Sequence, residues 1–127
     1  MPVAGLTSRL VAIVDDDPAV GLALSRLIRS LGYAPMLFKE AGLLLAALGA
    51  VEPACVVTDL QMPGLSGLDL LQRLRVRRPG LRVILATAAP SAANRRQALD
   101  AGAFAYLAKP FEAEELARCL SDVFDTP

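Results

Sequence analysis

Five short apolar runs punctuate the chain: LVAIVD (10–15), YAPMLF (33–38), ACVVTD (54–59), LRVILAT (81–87) and AFAYLA (103–108). Each has the length of a strand and is rich in Val, Ile or aromatic residues. The stretches between them carry helical spacing instead. In the first, Val20, Leu24, Leu27, Ile28 and Leu31 fall at i, i+4, i+7, i+8 and i+11, one face of a helix. Asp17 is placed to cap that helix, Pro18 suits its first position, and Gly32 marks its stop. A second helix is predicted through EAGLLLAALGA (40–50), and a third through SGLDLLQRLRV (66–76), where Ser66 and Asp69 have capping-box spacing. The fourth runs from Ser91 to Gly102, and the fifth through EAEELARCLSDVF (112–124) with its acids where the helix dipole favours them.

Strand and helix thus alternate five times. Strands apolar throughout are buried on both faces, and helical crossovers return the chain to start parallel strands, so the expected fold is α/β, a three-layer sandwich around a parallel sheet. Pro35 cannot donate a ladder hydrogen bond, which puts the second strand at an edge. Five strands with the second outermost fit the flavodoxin-like (βα)5 order 2-1-3-4-5.

At 127 residues the chain has the length of one domain. Residues 1–127 are read as a single domain with a core of about 9–124 and the start of a linker at 125–127. Lys plus Arg and Asp plus Glu both number 13, so no global field draws in nucleic acid or an acidic membrane. Cys55 and Cys119 lie in an apolar run and a helical pattern without CxxC spacing, and read as buried thiols in a reducing compartment. The N-terminus lacks a signal-peptide core, and AGLLLAALGA is about half of what spans a bilayer. A cytoplasmic protein is expected.

The strands' polar residues fall at their carboxyl ends: Asp15 and Asp16 after the first, Asp59 at the third, Thr87 at the fourth, Lys109 just past the fifth. In a parallel sheet these ends share one rim, where open α/β sheets bind ligands. Three neighbouring carboxylates raise one another's pKa unless a cation neutralises them, and a hard divalent ion such as Mg2+ accepts oxygen ligands while leaving room for a phosphate oxygen. Lys109 offers a compact positive charge and Thr87 a hydroxyl donor. A carboxylate facing them is able to act as nucleophile and form an acyl phosphate.

These residues, with IVDDD, VVTDLQMPGLSGLDLL, LAT and ALDAGAFAYLAKPF at their spacings, make the chain similar to the receiver domain of two-component response regulators from Arg9 to about Phe124. The resemblance implies that Asp59 is the phosphoacceptor, that Asp16, Asp59 and the main-chain carbonyl of Gln61 bind Mg2+, and that Asp15 acts mainly through metal-bound water. It implies that Thr87 and Lys109 hold the phosphoryl oxygens, that Lys109-Pro110 is a cis peptide bond, and that Tyr106 is a switch residue moving with Thr87. The switch would alter the surface of the fourth helix, fifth strand and fifth helix, to which Arg95 and Arg96 would belong unless they are simply solvated surface charges. Gln61 and Ala89 stand where the family tunes the lifetime of the acyl phosphate.

The chain has no histidine. A phosphohistidine donor must therefore come in trans, from a sensor histidine kinase or a histidine phosphotransfer protein. The resemblance leaves the output domain or effector open, whether in a DNA-binding regulator, a hybrid kinase or a stand-alone protein. It also leaves room for a phosphorylation-dependent homodimer, with no direct nucleic-acid or membrane binding by this domain and no enzyme activity in the usual sense. Two other readings compete: a metal-dependent phosphohydrolase using Asp15 and Asp17 in an Asp-x-Asp signature, and a pseudo-receiver that binds partners without phosphorylation. Pro18 directly after the acids and the intact five-residue set weigh against them.

Overall fold

The computed structural model describes residues 9–125. Its elements are β1 (Leu10–Val14), α1 (Pro18–Ser30), β2 (Ala34–Phe38), α2 (Ala41–Ala47), β3 (Cys55–Asp59), α3 (Gly67–Arg77), β4 (Arg82–Thr87), α4 (Ala92–Asp100), β5 (Ala105–Ala108) and α5 (Ala113–Asp125). All pairings are parallel and the sheet runs β2-β1-β3-β4-β5, the flavodoxin-like order the alternation predicts. Of the expected linker at 125–127, Asp125 is the last residue of α5 and the other two lie outside the described residues.

Alternate residues of each central strand serve different layers. Val11, Ile13, Cys55, Val57, Ile84 and Ala86 meet Leu24 and Ile28 of α1 and Leu116, Leu120 and Val123 of α5. Their neighbours Ala12, Val14, Val56, Val83 and Leu85 face Leu44 of α2, Leu70, Leu71 and Leu74 of α3 and Ala98 of α4. Two-sided burial explains why these strands read as continuous apolar runs; each fully buried Leu or Ile contributes about 1.5–3 kcal/mol. The edges differ. β2 is largely exposed, with Pro35 in it, and β5 is only partly covered. Cys55 sits in the first layer, where burial pushes its thiol up to about 12 and keeps it protonated.

Local signals are honoured at the helix ends. Asp17 accepts hydrogen bonds from the backbone N–H groups of Ala19 (2.9 Å) and Val20 (3.4 Å), with Pro18 in the first helical position. Ser66 and Asp69 close a capping box, and so do Ser91 and Asn94. Helix α2 is shorter than its apolar pattern predicts. Leu48 leaves the helical region (φ −59°, ψ 138°), Gly49 takes φ +101°, and the Gly49 N–H is held by Glu52 Oε2 at 2.8 Å. A glycine free to adopt positive φ two residues after Ala47, with an acid three residues on to receive its N–H, ends the helix at Ala47. Among the described residues no helix is long and apolar enough to cross a membrane.

Candidate functional site

Register brings the polar residues to one rim. Val14 pairs with Thr58, so Asp15 and Asp59 follow side by side; Asp59 pairs with Ala86, and Thr87 with Ala108, the residue before Lys109. One carboxylate oxygen from each of Asp15, Asp16 and Asp59 lies within 4.8 Å of those of the other two. Asp15 is buried, Asp59 half-buried and Asp16 exposed.

Asp15 is tied on both oxygens: Oδ1 accepts the Asp17 N–H at 2.9 Å, and Oδ2 accepts the Lys109 ammonium at 3.1 Å. The same ammonium lies 3.6 Å from Asp59 Oδ2. The Lys109 backbone is fixed at the rim by its N–H, which donates to the Thr87 carbonyl at 2.8 Å; the Lys109-Pro110 peptide is cis. Burial raises the pKa of Asp59; the negative charge of Asp15 adds to the rise, while Lys109 and the N–H groups of Gln61 and Leu60 oppose it.

The backbone beneath Asp59 is clamped from both sides. The Leu60 N–H donates to the Ala86 carbonyl and the Gly67 N–H to the Leu60 carbonyl, each at 2.8 Å. Gly67, the first residue of α3, approaches so closely that an added Cβ would run into the Asp59 carbonyl and the Leu60 Cα. That close approach is why a glycine stands between Ser66 and the rest of the helix.

Thr87 is fully buried and its hydroxyl is engaged twice, donating to Gln61 Oε1 at 2.9 Å and accepting the Ala89 N–H at 3.0 Å. The bond from Thr87 to the Gln61 side chain is not among the roles the sequence suggests for Gln61, a main-chain metal ligand and a lifetime-tuning position. Tyr106 is half-buried on the far side of that loop. Its hydroxyl donates to Asn94 Oδ1 and accepts the Ser91 N–H at 3.3 Å, and the Arg95 guanidinium lies 5.8 Å from its ring centre. Asn94 was not singled out by its sequence, although its i+3 spacing from Ser91 is a capping-box signal.

The donor set fits a hard divalent cation. Three carboxylates against one ammonium leave two negative charges in excess when all are ionised, and the exposed Asp16 opens the cluster to solvent. Asp17 is outside this set, because its carboxylate is committed to the start of α1. An Asp-x-Asp phosphohydrolase pairing of Asp15 with Asp17 therefore has no support in the geometry.

Residues 11–121 match the family model of the response regulator receiver domain. The chain belongs to that family. The receiver is similar to the DNA-binding transcriptional regulator NtrC of Salmonella typhimurium, 37% identical over 106 residues that make up 84% of this chain and 23% of that protein. It is 34% identical to the transcriptional regulatory protein FixJ of Bradyrhizobium diazoefficiens, over 84% of this chain and 52% of that one. The receiver thus spans about half or less of the length of these relatives. Among solved structures it superimposes on a CheY-like response regulator receiver domain protein from Methanospirillum hungatei JF-1 with a TM-score of 0.87, at 28% identity over 94% of this chain and 95% of that one. On FixJ-N the TM-score is 0.84, at 29% identity over 93% and 94% of the two chains.

Proposed function

We propose that this receiver accepts a phosphoryl group on Asp59 from a phosphohistidine of a sensor histidine kinase or histidine phosphotransfer protein, in a Mg2+-dependent reaction. The observation that carries the proposal is the placement of one ammonium, Lys109, within 3.6 Å of the half-buried Asp59 carboxylate in a cluster of three acids. Asp16, Asp59 and the Gln61 main-chain carbonyl would hold Mg2+ directly and Asp15 through water. When bound, the ion supplies positive charge that offsets the acids and orients phosphoryl oxygens.

This chain's own groups do the rest. A carboxylate oxygen of Asp59 attacks phosphorus, the P–N bond of the donor breaks, and its electron pair stays on the imidazole, which takes up a proton. Lys109 and Thr87 receive the phosphoryl oxygens, as a point charge and a hydroxyl donor. The domain assists its own modification and is not an enzyme in the usual sense. Thr87 then leaves its bond to Gln61, and Tyr106 and the surface of α4, β5 and α5 change to control an output domain or partner. Phosphorylation shifts this equilibrium only as far as the phosphoryl group interacts differently with the two states. One receiver domain accounts for residues 9–124, and free thiols at Cys55 and Cys119 suit a reducing cytoplasm.

Radiolabelled acetyl phosphate with and without Mg2+ tests the proposal. The wild type is expected to take up label only with Mg2+, and Asp59→Asn to take up none; equal labelling of the variant would refute the assignment.

A further inference from the structure

Between the rim and Tyr106 run two sets of hydrogen bonds joined through the backbone of Ala89. Gln61 Oε1 accepts the Thr87 hydroxyl, and Thr87 Oγ1 accepts the Ala89 N–H at 3.0 Å. On the other side of residue 89, its carbonyl accepts the Asn94 side-chain N–H at 3.1 Å. Asn94 Oδ1 in turn accepts the Tyr106 hydroxyl and, at 3.1 Å, the Ser91 N–H. Asn94 also donates its own backbone N–H to Ser91 Oγ at 3.0 Å, which seats it in the first turn of α4. One side chain therefore joins the loop after Thr87, the start of α4 and the aromatic residue of β5.

We propose that Asn94 is the positioning residue that couples Thr87 to Tyr106. The inference rests on the phosphoacceptor reading of Asp59 and adds to it the route by which the rim reaches the outer surface. Thr87 Oγ1 has one proton, and it is committed to Gln61. When a phosphoryl oxygen replaces Gln61 Oε1 as the acceptor of that hydrogen bond, the hydroxyl turns and the Ala89 N–H loses or follows its acceptor. The Ala89 carbonyl then shifts with the rest of the residue, and the Asn94 amide bound to it is released or dragged along. Because the Asn94 oxygen holds the Tyr106 hydroxyl, a shift of Asn94 loosens the ring, which then keeps only its hydrogen bond from the Ser91 N–H. Hydrogen bonds that share one amide group respond together rather than independently.

Asn94→Asp separates this role from helix capping. An aspartate at the third position of α4 still accepts from Ser91 and from Tyr106, so the cap survives; only the donor to the Ala89 carbonyl is lost. The readout is NMR of the full chain before and after phosphorylation with acetyl phosphate and Mg2+. In the wild type, the Ala89 backbone amide, the Asn94 side-chain amide and the Tyr106 ring are expected to shift together. In Asn94→Asp, Ala89 still shifts, but the change at Tyr106 falls by roughly half or more. Asn94→Ala, which keeps the Ser91 hydroxyl cap, is expected to show the same loss. A Tyr106 response in Asn94→Asp equal to wild type would overturn the inference, as would a phosphorylated wild type in which Tyr106 moves and the Asn94 side chain does not. If the wild type takes no label at all, it is the phosphoacceptor reading that fails, and this inference falls with it.

Discussion

The ammonium of Lys109 lies 3.1 Å from Asp15 Oδ2, across 94 positions of sequence, against a carboxylate that is 3% exposed. The lysine thus holds together two acids that repel. Removing it leaves a buried carboxylate without its cation, which is strongly unfavourable. Lys109→Ala is expected to lose about 1–3 kcal/mol of stability in Mg2+-free buffer, less than for a fully buried pair because Lys109 is itself partly solvated. Added Mg2+ should recover part of the loss. Urea unfolding with and without Mg2+ measures both, and identical midpoints for variant and wild type would contradict the pairing.

Asp59 points the opposite way. Burial and the Asp15 charge raise its pKa in the fold, so the folded state binds this proton more tightly than the unfolded chain. The stability linked to that proton is present below the ordinary carboxylate value of 3.8 and is lost as pH rises through the raised folded value. Asp59→Asn is therefore expected to unfold at a higher urea concentration than wild type at neutral pH without Mg2+. Saturating Mg2+ should narrow the gap, since a ligand bound by the native state stabilises the wild type by mass action. A lower midpoint for the variant in metal-free buffer would count against the like-charge argument.

Gly67 supports the Asp59 backbone from behind. A methyl there would meet the Asp59 carbonyl and the Leu60 Cα, both backbone, which cannot swing aside as a side chain does. Gly67→Ala should cost about 1–3 kcal/mol and slow labelling of Asp59 by shifting its backbone. Full stability with unchanged labelling would show that the helix start moves freely.

Away from the rim, Arg78 grips Glu52 through two hydrogen bonds of 2.8 and 2.7 Å and holds its carboxyl down to about 2. A depressed carboxylate pKa contributes stability above the ordinary 4.5 that is lost as pH falls toward about 2. The pair is exposed, so the effect is small and screened by salt. Glu52→Gln should flatten the fall in stability over that window at low ionic strength, and an unchanged acid-unfolding profile would refute it.

What was legible in the chain follows the range of the interaction. The Asp17-Pro18 start of α1 and the Ser66–Asp69 box are contacts within four residues, and the pattern announces them. The continuous apolar runs carry two-sided burial, and Pro35 marks the edge, so strand order was within reach. The rim's membership was legible for a related reason: parallel strands put all carboxyl ends together whatever the side chains do. Partnerships across that rim were not. The Thr87–Gln61 bond spans 26 positions and depends on how two loops approach, which no local spacing encodes. Likewise the early end of α2 depends on Glu52 reaching back to Gly49, a choice the run of apolar residues outweighs on paper.

The proposed phosphoacceptor is Asp59 and not its neighbours. Borohydride reduces an aspartyl phosphate to homoserine, leaving a permanent mark at the acceptor. After treatment with acetyl phosphate and Mg2+, borohydride reduction and peptide mapping should find homoserine at position 59. Homoserine at position 15 or 16 with Asp59 intact would contradict the account.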